Sequence, residues 1–374
     1  MRDRIWFAQL LRGVAALIVM YRHLAVGFWI ANAPVAAFAG VSPLAEVPDL
    51  PHHALTRWLD PIGITGGPLG VGIFFLISGF VIPFSLDRLG PWRFLIQRAF
   101  RLYPTYAVGL GLTCGLVAWY SATHGLPFKV AWSTYFENAS LARDWFKGDG
   151  IDGIVWTLEV ELKFSLLCAA ICTFASLRSS AAILTPMIAL TLFCCTADFV
   201  QPANRSVTVL AIAAPFLPFM FLGTCFYNLQ HRHWSPGKVL AVGAVLAGCS
   251  IINFGQVQLL VGLAPRYFFA SYSLALVIFA LAYAFQHRIP YSRCLNWLAE
   301  ISYPLYVVHG VSGYVLLTVL MEAGCPAYPA IAATVATALG AAYLLHIGIE
   351  KPSLVMAKRV LAWKRIAKRY RPSG

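Results

Sequence analysis

The chain reads as an all-α, polytopic integral membrane protein of about ten transmembrane helices, with both termini cytoplasmic. Three observations lead there. Of the 374 residues, 59% are hydrophobic and only 11% charged, with a mean hydropathy of +0.71, whereas a soluble domain carries roughly 25% charged residues. Apolar runs of about 17–25 residues, each enough to cross a roughly 30 Å hydrocarbon core, fill most of the length. Basic residues gather on alternate connections, as the positive-inside rule expects of cytoplasmic segments.

The first span is expected over residues 5–29. Its basic start, and Ala37-Phe38-Ala39 before Gly40, imitate a cleaved signal peptide, but Arg12 and Arg22 interrupt the apolar stretch, so it is read as retained. Further apolar runs predict spans at 66–86, 102–122, 153–176, 181–199, 207–229, 237–254, 265–285, 297–320 and 327–349. This order puts residues 87–101 in the cytoplasm. It leaves 30–65 and 123–152, rich in Pro, His, Trp and Asp, on the outside.

Residues 1–350 form one transmembrane domain, followed by a basic cytoplasmic tail, 351–374. Eight of the 28 Lys and Arg lie in that tail, which contains no acid. It reads as a membrane-surface helix, with Leu361, Trp363 and Ile366 for apolar contact and basic groups for anionic lipid. The net charge of +13 thus needs no nucleic acid as partner. Nine cysteines are scattered without a CxxC pair or a His/Cys cluster, so they read as packing residues and no metal is expected.

Charge inside a span costs roughly 2.5–3.5 kcal/mol per group on insertion scales, which makes it a pointer to function. Arg12 and His23 are eleven positions apart in the first span. That spacing returns a helix to within about 20° and advances it about 16 Å. The two therefore share a stripe at different depths. Before the third span, PWRFLIQRAFRLYPTY sets Arg98 and Arg101 at i and i+3. Two guanidinium forks on one face suit phosphate oxygens, although a positive-inside flank has the same look.

The fourth span opens IVWTLEVELKFSLL. Glu159 and Lys163, an i, i+4 pair, offer each other neutralisation. Glu161 is left without an evident partner. A histidine facing it across the bundle would make a general-base pair, and His23 is expected at comparable depth. The ninth span carries Tyr303, Tyr306 and His309 at i, i+3 and i+6; His309 alone reads first as a packed core histidine. Ser78-Gly79, in FFLISGFVIP, reads as close helix packing. Trp132, Tyr135 and Trp145 suit sugar stacking but more readily an interfacial aromatic belt.

Taken together, RGVAALIVMYRH, FFLISGFVI, RAFRLYP, WTLEVELKF, ISYPLYVVH and the closing Glu350-Lys351-Pro352 resemble, in that order, the membrane acyltransferase 3 family over nearly the whole chain. The resemblance implies an inner-membrane, multi-pass O-acyltransferase that moves an acyl group, acetyl in the first instance, from acyl-CoA to a hydroxyl of an exported glycan or lipid-linked saccharide. By resemblance, His23 is the catalytic base and Glu161 the functional acid beside it. Arg12, Arg98 and Arg101 help hold the donor, while Trp156, Tyr303, Tyr306 and His309 are expected to line the site. The opening is most similar to exopolysaccharide acetyltransferases of the cell envelope. Where many relatives place a tyrosine after the fourth-span phenylalanine, this chain has Ser165. Competing readings are a transporter or flippase with a buried charged path, and an acyltransferase acting on a small molecule.

Overall fold

A computed structural model describes residues 5–51, 53–146, 149–196, 209–210, 212–261 and 265–369. All regular structure among the described residues is helical. Helix α1 runs as one rod over Trp6–Ile30, interrupted by a π-helical turn at Arg22–Gly27. Short helices α2 (Asn32–Ala39) and α3 (His53–Leu59) lead to α4 (Gly66–Leu89) and α5 (Pro91–His124). After α6 (Trp132–Ala139) and α7 (Arg143–Phe146) come α8 (Val155–Phe174), α9 (Ser180–Cys194) and α10 (Phe216–Gln230). Then follow α11 (Pro236–Val261), α12 (Pro265–Ala284), α13 (Arg293–Val308), α14 (Val311–Glu322), α15 (Ala327–Leu345) and α16 (Lys351–Arg369).

Among the described residues, six helices are long and apolar enough to cross a membrane, or seven if α13 and α14 count as one broken span. The ninth expected span, read as one run over 297–320, is instead broken: the two pieces meet at 74° across His309 and Gly310. Pro304 removes one N–H from the helical ladder of α13 just before the break. The third helix begins at Pro91, eleven residues before the expected 102, because Gly90 adopts a left-handed φ of 74° and Pro91 starts the helix well. Parts of the fifth and sixth expected spans, residues 197–199 and 207–208, lie outside the described residues.

Two hydrophobic cores flank α1. One gathers α4, α8, α10 and α12 around Phe75, Phe80, Phe216 and Phe279; the other gathers α5, α13, α14 and α15 around Tyr106, Leu305 and Val315. Helices α4 and α10 cross with backbones touching. A Cβ on Gly79 would fall 1.7 Å from the Met220 carbonyl oxygen, and one on Gly223 would fall 2.2 Å from that of Leu76. The Thr224 hydroxyl donates to the Gly79 carbonyl across the same crossing, at 2.9 Å. Close packing at Gly79 is thus as expected, and it presents the neighbouring Ser78 toward α8.

The tail leaves α15 through a second π turn, His346–Glu350, and α16 continues it. Its first turns pack on α5, where the Ser353 hydroxyl donates to the Phe100 carbonyl and Ala357 is fully buried. The start of the tail is therefore part of the bundle. The side chains of Trp363 and Ile366 lie outside the described residues.

Candidate functional site

A cavity open to solvent lies among α1, α4, α5, α8 and α13. Arg12, Arg98, Arg101, Ser78, Glu161 and Tyr303 face it, with Ser85 and Phe94 at one end and Phe74, Thr157 and Tyr306 at the other. From Ser85 to Phe74 is eleven positions along α4, about 16 Å of depth. The i, i+3 spacing of Arg98 and Arg101 does put both on the cavity wall. Glu161 accepts from the Arg98 guanidinium and, at 2.7 Å, from the Ser78 hydroxyl. Arg98 Nε also donates to the Ser165 hydroxyl at 3.2 Å. The position where the family resemblance expects tyrosine therefore holds a small side chain that helps orient Arg98. Glu161 and Glu350 lie within electrostatic reach of Arg12. Three arginines against one wall carboxylate leave the cavity positively charged.

His23 is elsewhere. It sits in the π turn of α1, beyond the Phe74–Tyr306 end of the cavity, and lines a separate recess with Ala31, Pro34, Val35, Phe38, Asp152 and Tyr314. The expectation that His23 and Glu161 share one cavity is corrected: the acid is taken by Arg98 and Ser78, and the imidazole is taken by His309. His23 Nδ1 and His309 Nε2 are 2.9 Å apart, with the rings nearly parallel at 8°. His309 is thus a partner of His23 and not a histidine merely packed in the core. The break after α13 turns this ring toward α1.

Hydrogen bonding fixes the proton positions of the pair. A carbonyl can only accept, so the 2.9 Å contact from His309 Nδ1 to the Leu305 oxygen requires the proton on Nδ1. His309 Nε2 then carries a lone pair and accepts from His23 Nδ1–H. The lone pair of His23 is left on Nε2.

Glu159 and Lys163 do not neutralise each other, as their spacing suggested. Glu159 accepts from Arg143 Nη2 at 2.9 Å and from the Asp144 backbone N–H at 3.2 Å, while Lys163 pairs with Asp144. Long-range partners from α7 win over the i, i+4 neighbour. Trp156 packs on Phe216 and Phe75, with ring centroids 5.2 and 6.4 Å away, and does not line the cavity. Tyr303 lines it and donates to the Leu102 carbonyl at 2.7 Å. Thr157 is a site residue that the sequence does not single out, while Ser78 reads there only as helix packing and Ser165 only as a departure from the family's tyrosine. Each is a small polar group in an apolar helix, a signal too common to stand out. Arg22 was noted only as a charge; its Nε donates to the Thr65 hydroxyl at 2.9 Å. Trp132 and Trp145 are exposed on the short helices α6 and α7, and Tyr135 donates to the Ala107 carbonyl.

Among protein families, one described as an acyltransferase domain matches residues 5–346. The chain is also similar to Nodulation protein 10 of Rhizobium leguminosarum bv. viciae, 32% identical over 113 residues. That match covers 26% of this chain and 31% of the relative, so it spans under a third of either protein. No solved structure matches.

Proposed function

Since the chain belongs to the acyltransferase domain family matched over residues 5–346, and is a multi-pass helical membrane protein, we propose that it moves a short acyl group, acetyl in the first instance, from a coenzyme A thioester to a saccharide hydroxyl. The acceptor in this reading is an exported glycan or lipid-linked saccharide at the inner membrane, with the basic end of the bundle in the cytoplasm. The observation that carries the proposal is the arrangement in series of a cationic cavity and a histidine with a free Nε2 lone pair.

The parts divide the work by their chemistry. Arg12, Arg98 and Arg101 offer charge-assisted donors to the phosphates of the donor, and Glu161 and Ser165 hold the Arg98 fork in one orientation. His23 Nε2 takes the proton of the acceptor hydroxyl as its oxygen attacks the thioester carbonyl. The new C–O bond forms, the C–S bond breaks, and the proton passes from His23 to the departing thiolate, giving ester and free coenzyme A. His309 supports the transient imidazolium by accepting from His23 Nδ1–H, and the Leu305 carbonyl keeps His309 in the tautomer that can do so. Orientation falls to a second imidazole and a carbonyl in place of the expected carboxylate.

Purified protein in liposomes, given labelled acetyl-CoA and glycans extracted from the native cell envelope, should yield labelled glycan. His23→Ala should lower the rate by about 10²–10⁴-fold, the range for loss of a general base. Full activity in that variant, or solute movement without acylation by the wild type, overturns the reading.

A further inference from the structure

Between the arginine cavity and the histidine pair stands a partition of two aromatic rings. Phe74 of α4 and Tyr306 of α13 meet edge to face with centroids 5.7 Å apart. Both line the far end of the cavity. On the other side the Tyr306 ring lies 5.6 Å from the ring of His309. Val19 and Ile154 pack against the pair.

Tyr306 is also tethered. The Thr157 hydroxyl donates to the Ile154 carbonyl at 2.8 Å, so at its 2.9 Å contact with Tyr306 it acts as acceptor and the phenol donates. The phenol proton is thereby spent on holding the ring across the passage. Phe74 has no polar atom and only packing fixes it. One side of the partition is pinned and the other is held by shape alone.

We propose that Phe74 and Tyr306 form the acyl-size filter of the donor site, admitting a two-carbon acyl group to His23 and stopping longer chains. The inference rests on the acyl-CoA reading given above. The physical basis is that two rings in edge-to-face contact at the apolar end of the cavity leave little room beside them for added methylenes. A hydrophobic pocket commonly discriminates one methylene by about 10–200-fold. The charged arginines along the cavity wall are indifferent to chain length, since every acyl-CoA presents the same phosphates. Selection therefore falls to the apolar end, where the acyl carbon must pass.

The test compares acetyl-, propionyl- and butyryl-CoA with native-envelope membrane vesicles as the source of acceptor, reading free thiol release and labelled acyl incorporation. The wild type should prefer acetyl over butyryl by at least tenfold. Phe74→Ala should raise the butyryl-to-acetyl ratio by tenfold or more, Phe74→Leu by less, and Thr157→Val, which unpins Tyr306, by several-fold. Phe74→Trp covers the case in which the alanine variant does not fold; it should depress propionyl relative to acetyl. Ratios that stay within twofold of the wild type in variants eluting as monodisperse protein overturn the filter while leaving the acyl-CoA reading intact. Absence of transfer from every acyl-CoA in the wild type overturns that reading, and the filter with it.

Discussion

Glu159 and Glu161 stand two positions apart on one helix, yet they belong to opposite kinds of site. Around Glu159 the charges balance: two carboxylates, Glu159 and Asp144, meet two cations, Arg143 and Lys163. The Glu159 side chain is 2% exposed and accepts three hydrogen bonds. Around Glu161 they do not balance. One carboxylate, 21% exposed, pairs directly with Arg98 on the wall of an open cavity that Arg12 and Arg101 also line. A closed, neutral cluster holds α7 against α8. An open cluster with surplus positive charge has capacity left for an anion. Charge in an apolar helix is thus no functional signal by itself; what discriminates is whether the protein's own groups have already satisfied it.

The comparison breaks most sharply under charge removal. Glu159→Gln leaves the half-buried Arg143 beside Asp144 and Lys163 with one cation too many, and because Arg143 keeps some contact with water the cost is at most about 3 kcal/mol, the low end for breaking a buried pair. Thermal unfolding in detergent should show that loss, with the KM for acyl-CoA in the surviving fraction unchanged. Arg101→Gln should do the reverse. It forfeits a charge-assisted contact worth about 1.5–3 kcal/mol, or roughly 10–100-fold in KM, with little change in unfolding temperature. If both variants behave alike, the distinction between the two clusters fails.

The sequence went further for the cavity than for the histidine recess, and the reason is range. Arg98 and Arg101 share a face because of helical periodicity, a local rule, and the structure places both on one wall as that spacing predicts. Arg12 and His23 share a stripe by the same rule, but the π turn at 22–27 and the intervening rings divide that stripe between two compartments. Pairings across helices were not legible. His23 with His309 spans 286 positions, and it depends on a 74° break that no single residue announces. Glu159 with Arg143 depends on how the polar segment between α5 and α8 folds back on the bundle. The i, i+4 reading of Glu159 and Lys163 failed because local geometry permits a pair without requiring it.

Ser78 sharpens the comparison at lower amplitude. Its hydroxyl gives Glu161 a second donor besides Arg98, at the point where Gly79 brings α4 close to α10. Ser78→Ala removes one hydrogen bond, a net effect of about 1 kcal/mol. The expected outcome is about a fivefold rise in KM for acyl-CoA, from a less well-held Arg98 fork, with the acetyl-to-butyryl preference unaltered. A change in chain preference would instead link Ser78 to the aromatic end of the cavity.

The smallest expected effect comes from a buried acid that belongs to neither cluster. Asp152 accepts from the Ile154 and Val155 backbone N–H groups, capping the start of α8, and from the Tyr106 hydroxyl at 2.9 Å. Burial raises its carboxyl above the ordinary value, against the opposing pull of those hydrogen bonds. For an acid whose folded value lies above the unfolded one, stability is full below the unfolded value and falls as pH rises through the folded value. Asp152→Asn keeps an oxygen for the cap and removes the titration. The wild type should therefore lose unfolding temperature relative to the variant as pH rises above about 4, by on the order of 2 °C. A difference that is constant across pH would mean that folding does not perturb the carboxyl, and one that grows toward acid would mean that the carboxylate is stabilised in the fold. Asp152 would then join the balanced cluster around Glu159, where Arg143 is the nearest candidate to compensate it.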